Sequence, residues 1–194
     1  MISTIRPALV LFGALTLACG VVYPLAVTGV GATLFPSQAS GSILEVDGKP
    51  VGSALIGQQF TSAKYFWGRP SATGPMPYNA NGSSGSNQGP LNPAYTEAVR
   101  ARVDALKAAD PGNTAPIPVD LVTASGSGLD PEISLAAAEY QARRVAAERR
   151  IAPEKVQAMI AEHASGTVMG IFGEPRVNVL ALNLALDKKT PHTR

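Results

Sequence analysis

The sequence predicts an α+β protein in which a single N-terminal transmembrane helix carries a small extracytoplasmic α+β domain. No Asp, Glu, Lys or Arg occurs from residue 7 to residue 44. The rest of the chain mixes short β-prone segments with helical patterns, and its roughly 160 residues are enough for one core. Only 15% of the residues are charged, well below the ~25% of a typical soluble domain.

The apolar run is densest from Ala8 to Ala26, and about 20 such residues suffice to cross a bilayer as a helix. Pro24 is predicted to kink this helix near its far end. Tyr23 suits the membrane interface, because its ring is apolar and its tip is polar.

The charges that flank the run predict its orientation. Arg6 and the amino terminus precede it, whereas the first charges after it are Glu45, Asp47 and Lys49, which sum to minus one. Because positive flanks favour the inner side of a membrane, we expect the N-terminus in the cytoplasm. The predicted division is residues 1–6 cytoplasmic, 7–35 transmembrane and 36–194 extracytoplasmic.

A cleaved secretory signal is the alternative to an anchor, but such signals have a shorter apolar core. Within the run, Gly13, Thr16 and Gly20 have the spacing of one helix face. Small side chains there let a second helix approach closely, so these residues are candidate contacts with partner helices. Small residues are also common in any membrane helix, and that interpretation stays open.

The predicted outer domain begins with short strands or a hairpin between Ile43 and Phe60, broken at Asp47-Gly48. A long loop, residues 68–92, follows; loops of this length are commonly functional, and a solvated insertion is the alternative. A helix is predicted from Asn92 and Pro93 to Asp110, and residues 119–124 (VDLVTA) are predicted to form a buried strand.

Two further helices are predicted, over residues 133–150 with Asp130 or Ser134 as cap, and from Pro153 to His163. Residues 176–186 fit a strand, a helix or one followed by the other. The arginines that end the longer helix favour a solvated helix end over a contact with lipid headgroups or an acidic partner. They are Arg143, Arg144, Arg149 and Arg150.

Several kinds of chemistry are excluded or disfavoured by the residues present. Cys19, inside the apolar run, is the one cysteine, and His163 and His192 are the only histidines, which excludes disulfide scaffolds and zinc ribbons. A formal charge of +2 gives no footprint for nucleic acid. The sequence has no complete glycine-rich phosphate-binding motif and no complete GxSxG motif of a serine nucleophile. The carboxylates Asp120, Asp130 and Glu132 are predicted to act as caps and turn residues, and no catalytic, cofactor-binding or metal-binding residue is predicted.

Five segments in order along the chain resemble the C subunit of the Kdp potassium-transporting ATPase. They are GSALIGQQF (52–60), YFWGRPSA (65–72), MPYNANGSSGSNQGPLNP (76–93), DLVTASGSGLDPEIS (120–134) and PRVNVLALNLALD (175–187), with RPAL and VVYPL matching near the N-terminus. Their number and their spread over nearly the whole chain make the resemblance specific.

The resemblance implies an accessory, non-catalytic subunit of a high-affinity, ATP-driven potassium uptake complex in the bacterial inner membrane. The implied partners are a pore-forming subunit, a P-type ATP-hydrolysing subunit and membrane lipid; those partner subunits handle ATP and potassium. The family's C subunit is described as needed for assembly and as a catalytic chaperone that raises the ATP affinity of the P-type subunit. Because the bulk of this chain is predicted outside the cytoplasm, we expect any such effect to be indirect.

Tyr65, Trp67 and Arg69 are the candidate interface residues of the outer domain, since aromatic residues and Arg are favoured at interface hot spots. Packing of Tyr65 and Trp67 into their own domain is the alternative. At the level of the whole protein, the alternative is an exported enzyme or solute-binding protein released by signal cleavage. A free-standing membrane sensor is less favoured, because only about six residues precede the span.

Overall fold

In a computed structural model, residues 2–167 and 169–189 are described. The chain divides into two compact units, Met1–Val51 and Gly52–Arg194. The predicted mixture of helix and sheet is confirmed. His192 lies outside the described residues.

The first unit is dominated by one long apolar helix. It is formed by α1 (Ile2–Leu17), a π-helical segment (Ala18–Val22) and α2 (Tyr23–Leu34). Its candidate membrane span is Ser3–Leu34, and the most apolar 18-residue window has a mean hydropathy of 2.1 and no buried residue, so it is long and apolar enough to cross a membrane.

The π-helical segment ends at Val22, two residues before Pro24, where the sequence predicts a kink. Proline has no N–H to donate to the carbonyl of Gly20 and its ring crowds that carbonyl. Here the wider turn takes up the conflict, and the N–H of Tyr23 donates to the carbonyl of Ala18, five residues back.

A one-turn helix, α3 (Pro36–Ala39), and a hairpin complete this part of the chain. Strands β1 (Ile43–Val46) and β2 (Lys49–Ser53) pair in a two-stranded sheet. Asp47 and Gly48 between them have φ values of 52° and 73°, the conformation of the tight turn that Asp-Gly favours. The predicted hairpin is therefore confirmed.

The second unit packs helices against a small sheet. Its elements are α4 (Pro93–Ala109), β3 (Glu132–Ser134), α5 (Leu135–Arg149), α6 (Pro153–His163), β4 (Ala164–Ser165), β5 (Arg176–Asn178) and α7 (Val179–Lys189). The sheet has the order β3-β5-β4 with antiparallel pairs, and Ile133 lies opposite Val177. Helix α5 packs against α6, and α6 against α7.

The core of this unit lies between the sheet and these three helices. Its fully buried members include Ile133, Val145, Val156, Val177 and Leu182. Helix α4 starts where the sequence predicts, because Oδ1 of Asn92 accepts the N–H of Ala94 at 3.0 Å.

One predicted element is wrong. Residues 119–124 do not form a strand: Val119–Leu121 is a 3-10 turn, and Oγ1 of Thr123 closes it by donating to the Val119 carbonyl at 2.8 Å.

The helix predicted over residues 133–150 is confirmed as α5. Of its two predicted caps, Ser134 is the one used, since its side chain accepts the N–H of Ala137 at 3.0 Å. The helix starts at Leu135 because the extended Ser134 still belongs to β3.

For residues 176–186 the sequence leaves open a strand, a helix or one followed by the other. The structure has the third arrangement, since the short strand β5 is followed directly by α7. The Val177 side chain of β5 is buried, and α7 buries the face that carries Leu182 and Leu186. Asn178 joins the two elements by accepting the N–H of Ala181 at 3.0 Å.

Candidate partner-binding surface

The candidate surface is built on the strap, which we define as residues 63–70 (AKYFWGRP). The strap has no helix or strand of its own. It lies across α5 and α7, whose polar side chains satisfy its backbone groups.

Two buried amides hold the centre of the strap. Asn183 accepts the N–H of Phe66 at 2.9 Å and donates to the carbonyl of the same residue at 3.0 Å. Gln141 does the same for Trp67, at 2.8 and 3.1 Å. Each amide thus makes the two backbone hydrogen bonds that a neighbouring strand would otherwise make. Both residues are 1% exposed.

Two buried arginines hold the first part of the strap. Arg144 donates to the carbonyls of Ala63 and Tyr65 and to Oε1 of Gln141. Burial lowers the pKa of Arg144 to about 10, so the guanidinium is still charged at neutral pH. Its central carbon lies 4.4 Å from the centroid of the Trp67 ring, which gives a cation–π contact.

Arg149 holds the same part of the strap from the end of α5. It donates to the carbonyl of Lys64 at 2.7 Å and to Asp187 at 2.8 Å, and its side chain is 1% exposed. The Tyr65 hydroxyl donates to the other oxygen of Asp187 at 2.9 Å. Burial, followed by the nearby Asp187 carboxylate, raises the pKa of Tyr65.

These contacts correct the predicted solvated helix end for Arg144 and Arg149. Both guanidinium groups are buried because the strap supplies backbone carbonyls as partners. Arg143 does remain exposed, in an ion pair with Asp110.

The last part of the strap is fixed by Arg69, whose Nη1 lies 2.9 Å from Oδ2 of Asp130. Asp130 also accepts the N–H of Glu132 at 3.0 Å, and Asp120 accepts the N–H of Ser134 at 2.7 Å. Glu132 pairs with Arg176 at 2.7 Å. The structural roles predicted for Asp120 and Asp130 are confirmed, while Glu132 is an ion-pair partner.

The loop 68–92 is folded onto the turn at residues 125–128. Oγ of Ser71 donates to the carbonyl of Gly128 at 2.7 Å and accepts the N–H of Tyr78 at 2.9 Å. Ser84 donates its N–H to the carbonyl of Ser127 at 3.0 Å. Gly128 has a φ of 67°, and a Cβ there would lie 2.5 Å from Thr73, so this close approach needs glycine.

Tyr78 anchors the loop to the strap. Its hydroxyl donates to the carbonyl of Arg69 at 2.5 Å, and burial raises the pKa of the phenol to about 12. The backbone of Tyr78 has a φ of 56°, which is unfavourable for a bulky side chain. The hydrogen bonds at both ends of the residue offset this strain.

A cavity of about 400 Å³ opens between the strap, the loop and α4. Trp67, Arg69, Tyr78 and Arg102 line it, with the exposed Gln59 at its edge. The cavity combines aromatic walls with cationic groups, a combination that suits docking of a partner side chain.

The predicted interface residues therefore fall into two groups. Tyr65, Trp67 and Arg69 are half-buried residues of the strap with partners in their own unit. Gly13, Thr16 and Gly20 lie exposed on the apolar helix. A Cβ added at Gly13 or Gly20 would meet nothing within 4 Å, although Gly20 lies in the π-helical segment, which interrupts the regular helical spacing.

Sequence reasoning missed Gln141 and Asn183. The available signal was a single amide within an otherwise apolar stretch, as in the VLALNLAL of α7, because such an amide needs a buried partner. Among the described residues, no group of three or more His, Cys, Asp or Glu could hold a metal ion.

The family model described as "K+-transporting ATPase, c chain" matches residues 5–188. The chain belongs to this family. The resemblance of the five segments is thereby confirmed over almost the whole sequence.

Three relatives of this C-chain family, each named potassium-transporting ATPase KdpC subunit, align over nearly their full length. The protein of Janthinobacterium sp. (strain Marseille) is 67% identical, covering 97% of this chain and 100% of the relative. That of Herminiimonas arsenicoxydans is 65% identical, with 97% and 99% covered. That of Dechloromonas aromatica (strain RCB) is 62% identical, with 96% and 98% covered.

Proposed function

We propose that the chain is a non-catalytic accessory subunit of an ATP-driven potassium uptake complex, anchored in the bacterial inner membrane by one helix. The full-length match to the C-chain family carries this proposal, and the relatives' names assign them to a potassium-transporting ATPase. The apolar helix supplies the anchor, because its exposed side chains need lipid or other helices around them.

In the proposed arrangement the N-terminus is cytoplasmic and the second unit lies outside the cytoplasm, beside the outer entrance of the pore-forming subunit. The helix contacts partner helices through Gly13, Thr16 and Gly20. The strap and its cavity contact the outer surface of a partner subunit, with Trp67 and Arg69 on the cavity wall.

The ATP affinity of the P-type subunit is raised indirectly in this proposal. ATP is cytoplasmic, whereas the folded unit is on the other side of the membrane. Coupling between the two sites then runs through the membrane helices, as a free energy shared between distant sites. We propose both roles for this chain: it acts as a catalytic chaperone of the P-type subunit, and it is needed for assembly of the complex.

The first experiment purifies the chain in mild detergent through a C-terminal tag after growth under potassium limitation, and identifies its companions by mass spectrometry. Recovery with a P-type ATPase subunit and a pore-like subunit in fixed ratio is the expected result. Recovery of the chain alone, shortened and soluble, would instead favour the exported enzyme or binding protein.

Orientation is tested by labelling. In a Cys19→Ala background, Leu91→Cys places a thiol at a side chain that is 96% exposed. A membrane-impermeant maleimide added to intact spheroplasts is expected to label it without permeabilisation. Labelling only after permeabilisation would reverse the proposed topology.

The docking surface is tested by photo-crosslinking. A benzophenone amino acid replaces Gln59 at the cavity edge, and in a control it replaces Leu91, which is also exposed. We expect position 59 to yield a covalent adduct with a partner subunit and position 91 to yield none. Equal yields from both positions would reject the strap cavity as the docking surface.

A further inference from the structure

The hairpin loop between β4 and β5 ends in an apolar tip, which we define as residues 169–173 (MGIFG). Met169, Ile171 and Phe172 are 85%, 78% and 65% exposed. Single exposed apolar residues are ordinary on a folded domain, and Leu91 and Val119 are examples here. Three within four residues form a protruding patch that needs a separate explanation.

The tip has open space around its turn, while its end at Gly173 lies near Arg176. A Cβ added at Gly170 would meet nothing within 4 Å. Met169 and Gly170 have φ values of 55° and 73°, which is the backbone of a tight turn. The tip is therefore a narrow projection, and its apolar side chains contribute little to the core.

Its chemistry is uniform, since no charged residue occurs from Ala164 to Gly173. The first charges behind the tip are Glu174 and Arg176, and Arg176 is paired with Glu132. Protein interfaces usually surround such apolar residues with Arg, Tyr and polar groups. A short segment of Phe, Ile and Met with glycines suits shallow insertion at the lipid interface, where water still reaches the backbone groups.

We propose that the apolar tip inserts into the outer leaflet of the bilayer, giving the second unit a second membrane contact besides the apolar helix. This inference rests on the proposed membrane anchor. Residues 35–51 join the helix to the second unit, and a chain of that length extends at most about 60 Å. The bilayer that holds the helix is thus always near this unit, and Glu174 and Arg176 limit the depth of insertion to the tip itself.

The test uses the full chain in phosphatidylcholine nanodiscs, in a Cys19→Ala background. Single cysteines replace Phe172 in the tip, Tyr23 in the apolar helix and Leu91 on the second unit, and each carries an environment-sensitive fluorophore. All three side chains are exposed, so the substitutions leave the core intact. Unchanged emission of Trp67, the one tryptophan, verifies the fold of each variant.

Spin-labelled phosphatidylcholine is the quencher. We expect quenching at positions 23 and 172 that is at least about twofold greater than at position 91, because only inserted groups meet the lipid quencher. Quenching at 23 without quenching at 172 would overturn the inference and leave the anchor intact. No quenching at 23 would remove the anchor itself, and the inference with it.

A second measurement separates lipid from protein. Aqueous iodide is expected to quench position 172 weakly in the isolated chain in nanodiscs and equally weakly in the assembled complex. Shielding from iodide that arises only in the complex would show that a partner subunit covers the tip, and would overturn the lipid contact.

Discussion

Each unit holds an exception to the usual relation between polarity and burial, and the two exceptions are opposite. In the first unit the side chains of the apolar helix are exposed, Phe12 by 71% for example. In the second unit Gln141, Arg144 and Asn183 are at most 4% exposed. The difference teaches that exposure of apolar side chains and burial of polar ones each require a suitable partner. For the buried polar side chains of the second unit that partner is the backbone of the strap, and for the apolar helix the proposed partner is lipid.

The largest effect is expected when a buried arginine is removed. Arg144→Leu removes the guanidinium donor of two strap carbonyls and one of the two donors to Oε1 of Gln141, so we expect the free energy of unfolding to fall by about 3–5 kcal/mol. Urea unfolding followed by Trp67 emission measures it. The adjacent Arg143→Leu breaks an ion pair whose arginine side chain is 52% exposed and should cost about 1 kcal/mol; equal losses would contradict the special role of the buried guanidinium.

The second-largest effect is expected for a charge placed in the apolar helix of the first unit. Leu17→Arg places a charge near the middle of the apolar helix, which should disfavour membrane insertion by about 2.5–3.5 kcal/mol. Extraction of membranes with alkaline carbonate measures the integrated fraction. Gln38→Arg, just beyond the helix, is the matched control, and equal extraction of both variants would argue against a spanning helix.

A smaller loss in the free energy of unfolding is expected when Asn183, which hydrogen-bonds both backbone groups of Phe66, is replaced. Asn183→Leu removes both hydrogen bonds and should cost about 2 kcal/mol, since a buried N–H and a buried carbonyl lose their partners. Hydrogen exchange of the strap peptide should accelerate. Gln157→Leu replaces an exposed amide on α6 and should leave strap exchange unchanged; an unaltered exchange rate in Asn183→Leu would show that the strap is held elsewhere.

The smallest effect depends on pH. Tyr78→Phe removes the bond to the Arg69 carbonyl and should cost about 1 kcal/mol at neutral pH. The folded protein holds the Tyr78 pKa at about 12 against an ordinary 10.0. Between these values the unfolded chain loses the proton first, so wild-type stability falls as pH rises while the variant is spared this loss.

The difference in free energy of unfolding between wild type and Tyr78→Phe should therefore become smaller from pH 10 to pH 12. Guanidinium unfolding at a series of pH values measures it. Parallel curves for wild type and Tyr78→Phe would show that the Tyr78 phenol is not held protonated by burial.

Apolar periodicity and cap residues predicted the apolar helix, α4 and α6, because these elements follow local rules. The strand error at residues 119–124 arose because a short apolar run suits a 3-10 turn equally well. The buried arginines could not be predicted, since their partners are carbonyls about 80 residues away in the chain. For the candidate surface, sequence named the strap residues but not the side chains that position them.

The strap's dependence on α7 has a consequence for biosynthesis. Phe66 and Tyr65 are fastened by Asn183 and Asp187, which lie 117 and 122 residues later. A nascent chain emerging from its N-terminus therefore lacks these two partners until the last helix has been made. Synthesis arrested before α7 would leave the strap without its contacts to that helix, with the backbone of Phe66 unpaired, and we expect proteases to cleave such interrupted chains at the strap faster than finished ones.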